Sequence, residues 1–207
     1  MKKQNNKQGN FIVQNFYSGL NYIYNSRKYI YFIIWIFVLF ALIGLFVPTP
    51  AAFDSYIIDI LKQIVDRTQG LNTFELIGFI LWNNFLVSAI GILLGIAFCF
   101  IPLSISVSNG YILGYVFRNI FDKMGFIQGG SYLWRILPHG IFELPAVMIS
   151  LGIGIRLGVS FFSSLNKNSF KKFSGDFKNA LKTLFFVVLP LLVIAAIIEG
   201  YLIKILN

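Results

Sequence analysis

The histidine at position 139 is the only one in the chain, and Glu143 follows it four residues later within LPHGIFELPAVMIS, residues 137–150. On a continuous helix a spacing of four puts two side chains on one face. Such a pair inside an apolar run can relay a proton, hold an ion, or hydrogen-bond a neighbouring helix. Pro138 and Pro145 each remove a backbone donor, which frees the carbonyls of Trp134 and Ile141, and Gly140 lies between them. These three residues predict a kinked or locally broken helix. Irregular backbone at membrane depth survives only where it is buried in protein or lines a wet cavity, so Glu143 should face inward.

Other chemistries fit the residues less well. One histidine and one distant cysteine, Cys99, cannot supply the usual zinc ligand sets, and HGIFE is not HExxH. No aspartate falls in an apolar block, and no GxSxG serine motif occurs. The expectation is therefore no catalytic, metal or cofactor-binding residue, and a chain that is not an enzyme. Further polar groups lie at comparable depth. His139 and Glu143 fall about 10 and 16 Å below the edge of their apolar block at about 1.5 Å per residue. Asn83, Asn84 and Glu199 reach the same slab from other blocks. An unpaired intramembrane charge costs about 3 kcal/mol on insertion scales. Convergence of Asn83, Asn84, His139, Glu143 and Glu199 into one cluster avoids that cost. Interhelical glue and a transport or ligand path both remain open for it.

The elements that must position these groups follow from composition. The 207 residues are 57% hydrophobic and 12% charged, against about a quarter charged in soluble domains, and mean hydropathy is +0.76. The apolar residues form blocks near the roughly 20 residues that span a bilayer as helix. The fold expected is all-α, a polytopic transmembrane bundle with spans at about 29–47, 74–101, 103–121, 132–155 and 183–206, the fourth broken by its prolines. Residues 29–207 form one membrane domain behind a basic segment, 1–28, whose first ten residues read as disordered. The first span exceeds the about 7–15 apolar residues of a signal peptide and reads as an uncleaved anchor. Asn72 and Glu75 form a capping-box pattern ahead of the second.

Net charge is +9, but the cations flank spans, so anionic lipid and topology account for them without nucleic acid. Lys2, Lys3, Lys7, Arg27 and Lys28 precede the first span; Arg156, Lys167, Lys171, Lys172, Lys178 and Lys182 separate the last two. The positive-inside rule makes both segments cytoplasmic and the C-terminus extracytoplasmic, in a cell membrane. Two connections are amphipathic. Phe53, Ile57, Ile60, Leu61 and Ile64 form one stripe, expected at the outer interface; Phe173, Phe177, Ala180, Leu181 and Leu184 form another, expected on the inner leaflet. Glycines four apart, Gly91 with Gly95, Gly110 with Gly114 and Gly154 with Gly158, predict close helix approach. IGILLGIAF (90–98) and IGIRLGVSF (153–161) resemble one another, a match short enough to arise by chance in so restricted a composition.

NNFLVSAIGILLG, SVSNGYILG, LPHGIFELPAVMISLGIGIRLG and LVIAAIIEGYL, in this order, resemble the membrane domain of the stage II sporulation protein M family. The resemblance covers about residues 75–205. It implies a polytopic helical protein of bacteria and archaea. In sporulating bacteria it implies membership of a membrane complex with cell-wall hydrolases, and it supplies no catalytic residue. The function expected is a scaffold or complex subunit, with the bilayer, other membrane or envelope proteins, or a second copy as partners. The alternative is a small transporter or channel through the polar cluster.

Overall fold

A backbone in lipid must satisfy its own hydrogen bonds, and a helix does so within one segment. The computed structural model describes the backbone of residues 2–96, 99–167 and 170–206 and the side chains of 11–96, 99–131, 140–165 and 170–202. Among these residues every regular element is helical. In chain order they are α1 (Lys2–Phe46), α2 (Ala51–Thr68), α3 (Thr73–Gly95), α4 (Phe100–Lys167), α5 (Phe170–Thr183), a π-helical turn (Leu184–Val188) and α6 (Leu189–Leu206). Five stretches are long and apolar enough to cross a membrane: Phe11–Phe46, Thr73–Gly95, Phe100–Ser131, Gly140–Leu165 and Phe170–Leu202. The chain is an all-α polytopic bundle.

Three features depart from expectation. Helix α1 starts at Lys2, far ahead of the first span, because its polar half has partners: Asn15, Tyr22 and Ser26 are buried. The break in α4 is at Gly125, with φ 73° and ψ 169°, and not at Pro138, Gly140 or Pro145, where the backbone stays helical. A proline forfeits one donor and can bend a helix while keeping helical dihedrals, whereas positive φ is cheap only for glycine. The chain folds back there, with Phe121 and Phe126 stacked at 4.7 Å. It thereby divides α4 into arms 100–124 and 126–167. Third, the α5 stripe does not lie on lipid. Phe173, Phe177, Ala180 and Leu184 pack into a core with Ile92, Ile153 and Leu157.

Glycine contacts set the packing. In α3 and the second arm of α4, a methyl on Gly95 would sit 2.6 Å from the Gly154 backbone. One on Gly154 would strike the Gly91 carbonyl, and one on Gly158 the Gly95 carbonyl. The two similar segments thus lie side by side in parallel. Gly110 and Gly114, in the first arm, press in the same way on the carbonyls of Phe37 and Ala41 of α1. Gly152 meets Ile30, which joins the two pairs through α1. Small residues permit such approach where lipid provides no hydrophobic drive.

At the ends, Asn72 caps α3: its side chain accepts from Phe74 and Glu75 backbone N–H, and Glu75 accepts from Asn72 N–H at 2.8 Å. Helix α2 buries Ile57, and its Asp54 accepts a 2.6 Å hydrogen bond from the Tyr115 hydroxyl. Before Pro190 the ladder widens, with Leu189 N–H bonding the Leu184 carbonyl five residues back. That π turn absorbs the donor the proline lacks.

Candidate functional site

Asn83 and Asn84 on α3, Glu143 on the second arm of α4 and Glu199 on α6 line one cavity of about 770 Å³. The turn at 69–73 roofs it, and Leu76, Phe79 and Ile80 supply apolar wall. The Glu143 carboxyl lies beside the Asn84 amide and within electrostatic reach of Glu199. Asn83 donates to the Asn84 side-chain oxygen at 3.4 Å, and one Glu199 oxygen is buried without a partner. The His139 side chain lies outside the described residues, as does that of Pro138; Pro145 is exposed. No lysine or arginine is among the described lining residues. The site therefore suits a cation or a hydrogen-bond donor.

Helix geometry closes this cavity toward the α5 end. One and two turns below Asn84 stand Ser88 and Ile92, and two turns below Glu143 stands Leu151, all fully buried. Beneath them come the glycine contacts of α3 and α4. Tightly packed side chains thus fill the space on the α5 side of the cavity residues.

A second polar centre occupies the α5 end. The Arg156 guanidinium donates through Nη2 to Asp176 Oδ1 at 3.0 Å and through Nη1 to Ser26 Oγ at 2.9 Å. It also stacks on the Tyr22 ring, 4.1 Å from its centroid. Ser160 donates to the other Asp176 oxygen at 2.7 Å. Side-chain exposure is 20% for Arg156 and 11% for Asp176, so the pair is largely desolvated. One network ties α1, α4 and α5 together. Its members read from sequence as topology signals or plain polar residues. The available cue was Asp176, the sole acid in 156–182.

Beside this network is a smaller recess of about 350 Å³, bordered by Lys28, Lys172, Ser160, Ser163 and Ser164. Among the described residues no group of three His, Cys, Asp or Glu side chains is placed to hold a metal.

The arrangement of five apolar helices around an internal acid–amide cluster can be compared with known proteins. An uncharacterized protein of Methanocaldococcus jannaschii is 28% identical over 185 residues, covering 84% of this chain and 81% of its own length. No solved structure matches the chain. The sequence profile of stage II sporulation protein M matches residues 33–202, which take in the later part of the first span, the other four spans whole and every residue of the described cavity. This multi-pass membrane protein belongs to the stage II sporulation protein M family.

Proposed function

We propose that the chain is a non-enzymatic subunit of a membrane complex, a scaffold that presents its acid–amide cavity outside the cell membrane. The basic residues support that orientation. Arg27 and Lys28 of α1 and the cations of 156–182 gather at the α5 end, which the positive-inside rule assigns to the cytoplasm. Helix α2, the cavity and the C-terminus then face outward. The observation that carries the scaffold reading is the fully buried layer of Ser88, Ile92 and Leu151 one to two turns beyond the cavity residues, which favours a recess over a through path. A recess open on one side is suited to seat part of a partner. Envelope remodelling beside cell-wall hydrolases is the role the family resemblance implies for sporulating bacteria.

A second reading, a small transporter or channel, draws support from the facing Glu143 and Glu199 carboxyl groups, since acids at membrane depth mark ion and proton routes. One pair of experiments separates the two. A photo-reactive side chain at Gln69, on the cavity roof, should cross-link a discrete envelope protein in intact cells, and Glu143→Leu should weaken that product. Proteoliposomes of the purified chain should pass no protons or cations. Flux that Glu143→Gln abolishes, without a cross-linked partner, overturns the scaffold in favour of transport.

A further inference from the structure

We infer that the recess at the α5 end is a binding site for a phosphate group, presented by the headgroup of an anionic phospholipid or by a soluble phosphate ester. The inference is independent of the scaffold reading. The recess holds about 350 Å³, within the lower range of small-ligand sites. Its floor is the Arg156–Asp176 pair, in which the two charges offset one another. Lys28 and Lys172 stand on the rim, from α1 and α5, and the described lining residues include no acid except Asp176. Two positive charges are therefore uncompensated.

The remaining lining is rich in hydroxyls. Ser160, Ser163 and Ser164 follow one another on α4, and Asn25 adds an amide from α1. Ser160 and Ser164 already donate to Asp176 and to the Phe161 carbonyl, so the Lys28 and Lys172 ammonium groups, with Ser163 and the Asn25 amide, are the donors that match the charge and acceptor oxygens of a phosphate. The same helix turns carry apolar side chains that the protein leaves uncovered: Val159 is 42% exposed and Phe162 49%. Headgroup chemistry and acyl-chain chemistry thus adjoin on one stretch of α4. Basic pockets between spans on the cytoplasmic side are a known way of holding anionic headgroups. This adjacency favours lipid as the source.

The test uses the full chain in mild detergent, with phosphatidylglycerol, phosphatidylcholine and inorganic phosphate as probes and bound lipid read by native mass spectrometry. Phosphatidylglycerol should be retained over phosphatidylcholine. The exposed pair Lys28→Gln/Lys172→Gln should weaken retention about thirtyfold, about fivefold per lysine near the surface. Lys178→Gln/Lys182→Gln, on α5 but outside the recess, should leave it unchanged. Displacement of the lipid by millimolar inorganic phosphate supports the site and assigns it to soluble esters; retention under phosphate supports it and assigns it to lipid. Equal retention of the two lipids overturns the inference. So does a control pair that loses as much as the recess pair, since that pattern belongs to a diffuse basic surface.

Discussion

Replacing Asp176 by alanine isolates the more buried of the two ion pairs among the described residues. The change removes the 3.0 Å bond from Arg156 and the 2.7 Å bond from Ser160. Hydrogen bonds to charged groups contribute about 1.5–3 kcal/mol each. Truncating one partner of a buried pair costs about 3–5 kcal/mol, because the other charge stays behind desolvated. Arg156 keeps 20% side-chain exposure and retains Ser26 and the Tyr22 ring. Partial hydration and these partners place Asp176→Ala at the lower end, about 3 kcal/mol. Asp176→Asn preserves shape and one acceptor and should cost about 1–2 kcal/mol. The double change Arg156→Met/Asp176→Leu removes both charges and should lie within about 1 kcal/mol of the parent. Reversible unfolding in mixed micelles, followed by tryptophan fluorescence, measures all of these. With Arg156→Met and Asp176→Leu as its single changes, the double-mutant cycle should return a coupling of about 2 kcal/mol or more. If Asp176→Ala falls within about 0.5 kcal/mol of the parent, or the two single losses simply add, the network is an exposed pair of little consequence and the reasoning fails.

Gly154→Ala drives a methyl into the Gly91 carbonyl and should destabilise by at least about 1–3 kcal/mol, whereas Gly78→Ala, with nothing within 4 Å, should stabilise α3 by up to about 1 kcal/mol; equal melting shifts for the two would contradict the packing. Asn72→Ala removes both side-chain acceptor bonds of the α3 cap and should cost about 1 kcal/mol, with faster hydrogen exchange confined to the first turn. Glu143→Gln should fold normally, while Glu143→Leu, which leaves Asn84 facing a hydrocarbon, should lose about 1–2 kcal/mol in the same unfolding assay. A reporter fused after residue 168 should read cytoplasmic and one after 207 extracytoplasmic; two reporters on one side rule out the five-span arrangement.

What the sequence made legible depended on the range of the interaction. The α3 cap is a pattern three residues long, and Asn72 with Glu75 announced it. The glycine pairs announced close packing because spacing on a single helix suffices. Which helix Gly154 meets is a tertiary fact, and only the fold supplies it. The acids and amides of α3, α4 and α6 were recognisable as a group through the cost of carrying polar atoms in an apolar run. Arg156 escaped notice because a cation beside a span has a ready explanation in topology, and its partner lies twenty residues away on another helix. Pro138 and Pro145 point to a break in their own turns, whereas the break lies at Gly125. A proline constrains its own turn, but the demand for positive φ at Gly125 comes from two arms having to run in opposite directions. The α5 stripe illustrates a related ambiguity: Phe173 and Phe177 satisfy lipid or protein equally, and periodicity does not distinguish the two.

Because the first half of α1 is paired with residues 156–187, it waits for a segment made more than a hundred residues later. Ser18 donates to Asn179 and Thr183 to the Gly19 carbonyl, across sequence separations of 161 and 164 residues. Ser26 receives the Arg156 guanidinium across 130. Spans can enter the bilayer one by one as synthesis proceeds, but this closure can form only after α5 emerges from the ribosome. A chain stopped before residue 170 would carry Arg156 without Asp176, and Ser18 and Gly19 without Asn179 and Thr183. Such an intermediate leaves the Arg156 guanidinium without its carboxylate. Closure of the bundle is thus tied to the synthesis of α5.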